Sequence, residues 1–435
     1  MHQPTAAGAV DERDKMAKTV KFAALAAIAG LALSACGSTT EAKTLVIATD
    51  LPLQGAAKDA NDSTNMAIAL YLEQIDEDPN TEGVQFAGYT LELKTYDNAT
   101  AAKGSWDDAA CAKNAADHVA NAGEVAVMGT YNSGCAKLIV PVLNEAPDGP
   151  LLMVSHANTN PGLTKAWDPG EPEAYYPTGA RNYARVATTD DYQGAAAAQF
   201  MAQELKVTKC FVLNDNQTYG QGVAKAFADE AAKQGITVIA NVAWDAAAAS
   251  YTSLFQQAKD AGADCVYFGG IYDNNGGALM NDKVAVLGDN AGVKVMGPDG
   301  FTGYPDFVAN PNAEGVYLTF AGLSADLLLA NGGKPAEFLE AYKAKYGADP
   351  VGSYPLYGVA AVQVILEAIK ASDGTRAGVN AAVFPGGITV PADVSILGKA
   401  ININGASGDV DLIDITVELV TGGAETTKMA WAVQS

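Results

Sequence analysis

Residues 125–134 read VAVMGTYNSG, and this stretch decides the fold class. Residues 125–128 are an apolar run that is too short for a helix, so the run predicts a buried strand. Residues 129–134 form a polar loop bounded by glycines, and residues 136–145 then have helical spacing. A buried strand that leads through a loop into a helix is the repeating unit of an α/β protein with a parallel sheet.

The same unit recurs along most of the chain. Strands and helices alternate over residues 45–154, and the pattern restarts after residue 188 and continues to residue 296. Two successive series of this kind predict an α/β fold with two doubly wound parallel-sheet lobes. Residues 359–370 predict an amphipathic helix, and antiparallel strands are expected near the C-terminus.

Composition limits the possible functions. The 435 residues include 27 Lys plus Arg and 50 Asp plus Glu, which gives a formal net charge of -23. Apolar residues make up 49% and charged residues 18%, which is typical of a globular protein. A surface with this much negative charge repels phosphate backbones. Nucleic acid is therefore not expected as a partner. The cysteines and histidines have no metal-binding spacing, and we expect neither a metal nor a cofactor.

The N-terminal segment has the pattern of an export signal. Residues 22–35 are the longest apolar run, which is shorter than the roughly 20 residues that span a bilayer, and two lysines precede it. The run ends in LSACG, which resembles the bacterial lipobox with Cys36 as the lipidated residue; an ordinary secretory peptide is the alternative. We expect a signal peptide at 1–35, a lipidated tether at 36–43, and a lipoprotein anchored at the cell membrane outside the cytoplasm, in the periplasm or on the outer face of that membrane.

Four further cysteines would then lie in an oxidising compartment. An even number of cysteines there favours disulfide bonds. The expected pairs are the ones close in sequence, Cys111–Cys135 and Cys210–Cys265, and buried free thiols are the alternative.

The loops that follow the predicted strands carry recognisable motifs. They are GTYNSG at 129–134, SHANTNP at 155–161, NDNQTYGQG at 214–222, VYFGG at 266–270 and GPDG at 297–300. In this order and spacing they resemble the type I periplasmic solute-binding proteins, in the leucine/isoleucine/valine-binding branch that serves ABC importers. The resemblance covers essentially the whole mature chain.

That resemblance implies two lobes joined by a three-segment hinge, with the ligand in the cleft between the lobes. The lobes would close around the ligand by rotation about the hinge. Matching the strands to this scheme assigns residues 44–187 and 320–395 to lobe 1, and residues 188–319 and 396–435 to lobe 2.

The resemblance also implies how the cleft holds an α-amino acid. Ser133 matches the serine that binds the carboxylate, Thr159 the threonine that contacts both charged groups, and Ala157 the residue whose carbonyl accepts from the ammonium. Asp299 stands where the family has an acidic residue that pairs with the ammonium. Tyr219 matches the aromatic residue of the second lobe that closes over the ligand.

Some positions depart from the family pattern. Tyr131 and Asn132 replace apolar residues before the serine, Ile271 replaces an aromatic residue after Gly-Gly, and Tyr272 follows one position late. We expect Tyr131, Asn132 and Tyr272 to line the pocket. A polar wall penalises an aliphatic guest, so we expect a polar or larger amino acid, or another small carboxylate or amide, rather than leucine.

Two other functions are compatible with the same fold class. The sequence has no nucleophile motif, P-loop motif or dinucleotide-binding motif. His156 has no clear nucleophile partner beyond Ser133 or Ser155. We therefore expect no catalytic residues and no enzyme. The second alternative is a ligand-sensing receptor module that signals to a partner. For the importer, the expected partners are a small-molecule ligand, an ABC permease and a lipid anchor, with the chain as a monomer.

Overall fold

The computed structural model describes residues 42–434, and the predicted signal peptide and Cys36 lie outside the described residues. The first series of elements comprises β1 Thr44–Leu51, α1 Lys58–Gln74, β2 Val84–Phe86, β3 Tyr89–Asp97, β4 Ala99–Thr100, β5 Ser105–Trp106, α2 Asp108–Ala120, β6 Glu124–Gly129, α3 Ser133–Asn144, β7 Leu152–Ser155 and β8 Tyr183–Arg185. Six of these strands form one sheet, in the order β2-β3-β1-β6-β7-β8.

This first sheet is parallel except at one edge, where β2 runs antiparallel to β3. Every residue of β6 is buried, and so are seven of the eight residues of β1. Strands that are buried on both faces need helices on both sides of the sheet. Ile47 packs in a core with α1, while Ala48, next in the strand, packs in a core with α2 and α3.

The second series builds the other sheet. Its elements are α4 Asp190–Gln203, β9 Lys209–Asn214, α5 Thr218–Lys233, β10 Thr237–Ala243, α6 Thr252–Asp260, β11 Cys265–Gly269, α7 Gly276–Leu287, β12 Lys294–Gly297, α8 Pro305–Ala309 and β13 Tyr317–Phe320. The strand order is β10-β9-β11-β12-β13, all parallel, and two antiparallel C-terminal strands extend this sheet to seven. The predicted class, two doubly wound parallel-sheet lobes, is confirmed.

The C-terminal part of the chain is shared between the lobes. It contains α9 Ala325–Ala330, α10 Lys334–Tyr346, α11 Tyr354–Lys370, α12 Arg376–Val383, β14 Ile388–Val390, β15 Ile401–Ile403, β16 Ile415–Thr421 and β17 Ala424–Trp431. Helix α11 begins five residues before the predicted start at 359. It is buried on nearly every side rather than amphipathic, because it packs under the first sheet and against α1.

The core also revises the expected lobe boundary. Ile396 and Ile401, which the sequence scheme assigns to lobe 2, pack in the first-lobe core with α11. Val410 belongs to the same core, whereas Ile415 begins a strand of the second sheet. We therefore propose that the last boundary lies after residue 410 instead of after residue 395.

Three crossing segments join the lobes, and Thr188 on the first of them bonds to the other two. Its backbone N–H donates to the carbonyl of Ala321, on the second segment, at 3.1 Å. Its hydroxyl lies 3.1 Å from the carbonyls of both Leu412 and Asp414, on the third segment. The three segments therefore form one hydrogen-bonded hinge.

Both expected disulfide pairings are present in the structure. The bond between Cys111 and Cys135 joins α2 to α3, with the Cα atoms 5.6 Å apart. The bond between Cys210 and Cys265 joins β9 to β11, where the two residues are register partners. Across residues 42–434, no helix has the length and apolar character needed to cross a bilayer.

Candidate functional site

A small cavity lies between the lobes, where β6, β7, β9, β11 and β12 end. Its volume is about 20 Å³, which is room for one water molecule. The first lobe lines it with Trp106, Tyr131, Asn132, Ser133, Gly134, Ala157 and Tyr354. The second lobe contributes Gln217, Tyr219, Ile271, Asp299 and Gly300. Ligands of open α/β sheets bind at this edge, so the cavity is the candidate site.

Ser133 lies at the start of α3, a helix of 12 residues that points its N-terminus at the cavity wall. The first N–H groups of a helix lack intrahelical partners, and the helix dipole there favours an anion. Asn132 is the N-cap residue, but its side chain makes no capping bond, and its Oδ1 atom has no hydrogen-bond partner among the described residues. The free backbone N–H groups at the start of α3 and the hydroxyl of Ser133 can donate to a carboxylate.

The loop after β7 places two predicted residues differently. Ala157 lines the cavity. Thr159 is fully buried behind the lining, and its Oγ1 atom has no hydrogen-bond partner in the described part of the chain. Its carbonyl accepts from the backbone N–H of Asp190 at 2.9 Å, which joins this loop to the start of α4. Thr159 therefore lies one layer behind the wall that Ala157 forms.

Asp299 is the central acidic group of the site, and protein groups surround it. Its Oδ1 atom accepts from the hydroxyl of Tyr219 at 2.5 Å and from Nε2 of Gln193 at 2.7 Å. Its Oδ2 atom accepts from the hydroxyl of Tyr354, which comes from the first lobe. The carboxyl of Asp299 thus bridges the two lobes.

A second buried carboxyl lies near Asp299. Oδ1 of Asp190 accepts from Nε2 of Gln193 at 3.2 Å, so the two acids share one amide. Burial and the nearby charge of Asp299 raise the pKa of Asp190. Burial likewise raises the pKa of Asp299, while the hydrogen bonds from Tyr219, Tyr354 and Gln193 act in the opposite direction. Among residues 42–434 neither acid is hydrogen-bonded to a basic side chain, so this part of the cleft favours a cationic group.

Several hydrogen bonds cross the cleft and hold the lobes together. Nε1 of Trp106 donates to Oε1 of Gln217 at 3.1 Å. Nδ2 of Asn160 donates to the carbonyl of Thr218 at 3.2 Å. Together with the bond from Tyr354 to Asp299, these two hydrogen bonds show that the cleft is closed.

Tyr272, a predicted pocket residue, does not line the cavity. Its ring packs against Tyr304 at 5.1 Å and Phe307 at 5.5 Å in the second-lobe core, and the preceding residue Ile271 lines the cavity instead. Successive residues at the end of a strand point in different directions, so a shift of one position sends the side chain elsewhere.

His156 is not arranged as a general base. It is fully buried, neither ring nitrogen has a hydrogen-bond partner within residues 42–434, and burial lowers its pKa to about 3. The hydroxyl of Ser155 donates to the carbonyl of Thr130 instead of to the imidazole. Among the described residues no group of three His, Cys, Asp or Glu side chains could hold a metal ion.

Sequence reasoning missed four groups at or behind the cleft, namely Trp106, Gln193, Gln217 and Tyr354. Gln217 lies in the NDNQTYGQG loop already singled out, so its position at a strand end was a usable signal. Tyr354 begins α11, which is distant in sequence from every strand-end loop, and no local pattern points to it.

Similarity to known proteins identifies the family. The profile of the periplasmic binding protein family matches residues 44–390. The leucine-, isoleucine-, valine-, threonine- and alanine-binding protein of Pseudomonas aeruginosa is 28% identical over 80% of this chain and 83% of its own length. The Leu/Ile/Val/Thr-binding protein of Salmonella typhimurium is 30% identical over 62% of this chain and 68% of its own.

Solved structures share the fold. The leucine-binding protein of Thermotoga maritima has a TM-score of 0.73 at 21% identity, covering 89% of this chain and 98% of that one. A solute-binding protein from R. palustris in complex with 4-hydroxybenzoate has a TM-score of 0.72 at 16% identity, covering 90% and 98%. Because the profile spans both lobes and the cleft, the chain belongs to the periplasmic binding protein family and is an extracytoplasmic solute-binding protein, not an enzyme.

Proposed function

We propose that this protein is the substrate-binding component of an ABC importer and carries an amino acid in its cleft. The observation that supports this most is the pairing across one cavity of Ser133, at a helix N-terminus, with the carboxyl of Asp299. The first group suits a carboxylate and the second suits an ammonium, so together they match a zwitterion. The curated relatives reported above are named for binding amino acids.

The proposed contact residues are those of the cavity wall together with Thr159 behind it. The hydroxyl of Ser133 and the free N–H groups at the start of α3 bind the carboxylate, the carbonyl of Ala157 and the carboxyl of Asp299 bind the ammonium, and Tyr131 and Tyr219 enclose the ligand. Asn132 and Gln217 make the wall polar. A polar neutral side chain gives these amides partners, and a leucine side chain does not, so we favour the polar ligand.

Binding requires the cleft to open first. A cavity of about 20 Å³ does not admit an amino acid, and Oδ2 of Asp299 is occupied by Tyr354. The ligand ammonium must therefore displace the Tyr354 hydroxyl from Asp299, or share the carboxyl with it. Rotation about the hydrogen-bonded hinge provides the space.

A thermal-shift screen of the full-length protein against the twenty amino acids, followed by calorimetry, tests the proposal. A ligand at about 100 times its dissociation constant should stabilise the protein by about 2.7 kcal/mol. We expect the largest shift with a polar neutral amino acid and a smaller one with leucine. The screen includes 4-hydroxybenzoate, because aromatic side chains line much of the wall. A shift with that acid and with no amino acid would overturn the zwitterion proposal.

Ser133→Ala is the informative variant for the site. It should weaken amino-acid binding at least tenfold, because the helix start loses a hydroxyl donor to the carboxylate. Ser253→Ala, on the exposed face of α6, is the matched control and should bind normally. Equal affinity for both variants would mean that the carboxylate binds elsewhere.

We also propose that Cys36 carries the lipid anchor and that the protein acts as a monomer. Mass spectrometry of protein purified from membranes should show a diacylglyceryl adduct at Cys36, and Cys36→Ala should release the protein from the membrane. Release of unmodified wild-type protein into the medium would contradict the anchor. Light scattering should give the molar mass of a single chain.

A further inference from the structure

A second cavity, of about 750 Å³, lies beside the small cavity of the cleft. Both lobes line it: Tyr304 and Glu418 come from the second lobe, and Val351 and Ser353 from the loop before α11. Ser353 lines this cavity and the next residue, Tyr354, lines the small one. The backbone at the start of α11 therefore forms part of the wall between the two.

The wall of the large cavity is strongly acidic. It carries five carboxyl groups and one ammonium, that of Lys343. The Nζ atom of Lys343 lies 2.8 Å from a carboxylate oxygen of Asp349, and both side chains are exposed at the rim. The remaining carboxyl groups have no basic partner on the cavity wall, and they belong to Asp326, Glu340, Glu418 and Glu425.

Glu418 is the deepest of these acids. It is only 5% exposed, and its Oε2 atom has no hydrogen-bond partner among the residues that the structure describes. In the β16–β17 ladder Glu418 lies opposite Thr427, and Glu425 precedes Thr427 by two residues. Residues two apart on a strand share a face, so Glu418 and Glu425 project from the same side of the sheet.

The surrounding groups hold this acidic face in place. Oε1 of Glu425 accepts from the backbone N–H of Gly303 at 2.8 Å. The hydroxyl of Thr427 lies 2.7 Å from that of Ser324 and 3.4 Å from Oδ2 of Asp326. These bonds use one oxygen of Glu425 and none of Glu418, so acceptors remain for a donor in the cavity.

Burying a carboxylate without a partner is costly. Burial, followed by the charges of Glu425 and Asp326, raises the pKa of Glu418 above its ordinary value. Burial also raises the pKa of Glu425, to about 7, against the opposing hydrogen bond from Gly303. A bound cation would relieve this cost by pairing with both carboxylates.

We propose that the large cavity is a second binding site, which takes a small organic cation through an ammonium group bonded to Glu418 and Glu425. Its volume lies within the roughly 300–1,000 Å³ of small-molecule pockets. An organic cation suits it better than a metal ion, because no group of three acidic, histidine or cysteine side chains within residues 42–434 is arranged to hold one.

Calorimetry with the full-length protein and 1,4-diaminobutane tests this proposal. The diamine should bind in a saturable manner, and 1,4-butanediol, of the same length but neutral, should not. Calcium chloride is titrated in a third arm. Absence of saturable diamine binding, equal binding of the diol, or tight calcium binding in place of the diamine would each overturn the proposal.

Glu418→Gln should weaken diamine binding at least tenfold, and Glu425→Gln gives a second, independent test on the neighbouring strand. Glu337→Gln removes an exposed carboxyl of α10 that does not line the cavity, so it serves as the matched control. Circular dichroism verifies that each variant is folded. If both cavity variants fold and bind the diamine as the wild type does, the assigned residues are wrong.

The two sites are told apart with Ser133→Ala. That variant should lose affinity for the amino acid while its affinity for the diamine stays within twofold of the wild type. Parallel loss of both affinities would mean that the diamine binds in the cleft, and the second site would then be rejected.

Discussion

The hydroxyl of Tyr354, in the first lobe, donates a hydrogen bond to the carboxyl of Asp299, in the second. This contact closes the cleft at the group that is proposed to bind the ligand ammonium. A hydrogen bond to a charged group contributes about 1.5–3 kcal/mol, which is enough to shift the balance between open and closed lobes.

Tyr354→Phe should therefore favour the open form in the absence of ligand. Small-angle scattering measures this as an increase in the radius of gyration, which added ligand should reverse. Tyr346→Phe is the control, because its hydroxyl bonds to the carbonyl of Met66 within the first lobe. An unchanged radius for Tyr354→Phe would mean that other contacts, such as that of Trp106 with Gln217, maintain closure.

Asp299→Asn should lower amino-acid affinity at least tenfold, because an amide cannot neutralise an ammonium. Calorimetry at low and moderate salt measures the loss. Asp306→Asn, in the exposed first turn of α8, removes a carboxyl from the same lobe and should bind as the wild type does. A normal affinity for Asp299→Asn would place the ammonium elsewhere.

The buried residue His118 should make stability depend on pH. Burial lowers its pKa, but the hydrogen bonds to Asp50 and Glu124 outweigh burial and raise the pKa to about 9. An unfolded histidine has a pKa of about 6.5. Below that pH, the contribution of protonated His118 to the free energy of unfolding is therefore fully present. The contribution, about 3 kcal/mol, is lost as the pH rises from 6.5 through 9.

Urea unfolding of the wild type and of His118→Gln at pH 6.5 and pH 9 isolates this contribution. The difference in unfolding free energy between the two proteins should shrink at the higher pH, since titrating groups other than the His118 partners Asp50 and Glu124 are common to both. If the difference in unfolding free energy is the same at both pH values, His118 does not cause the pH dependence.

Replacing the Cys111–Cys135 pair with alanines should lower the free energy of unfolding by about 3 kcal/mol, because the unfolded chain regains the freedom of the closed loop. The residues are 24 positions apart, and both are fully buried. Urea unfolding without reductant measures the loss. A loss below about 1 kcal/mol would contradict the expected contribution.

The sequence predicted the parts of the molecule that local pattern determines. Apolar strands, helix starts and strand-end loops follow from periodicity and turn residues. The family resemblance of those loops implied that Ser133, Ala157, Tyr219 and Asp299 contact the ligand, and all four line one cavity. Tyr272 was misplaced because the side-chain direction after a strand depends on one residue of register. Tyr354 was missed because its role depends on how a distant helix packs between the lobes.

Each disulfide lies within a single lobe, and none among residues 42–434 crosses the cleft. Covalent crosslinks thus stiffen each half of the protein without restricting the motion between the halves. Apart from the three backbone segments of the hinge, the contacts between the halves within residues 42–434 are hydrogen bonds and packing, which form and break far more readily than a sulfur–sulfur bond. Disulfide formation in an oxidising environment can therefore stabilise each lobe without slowing the opening that releases the ligand.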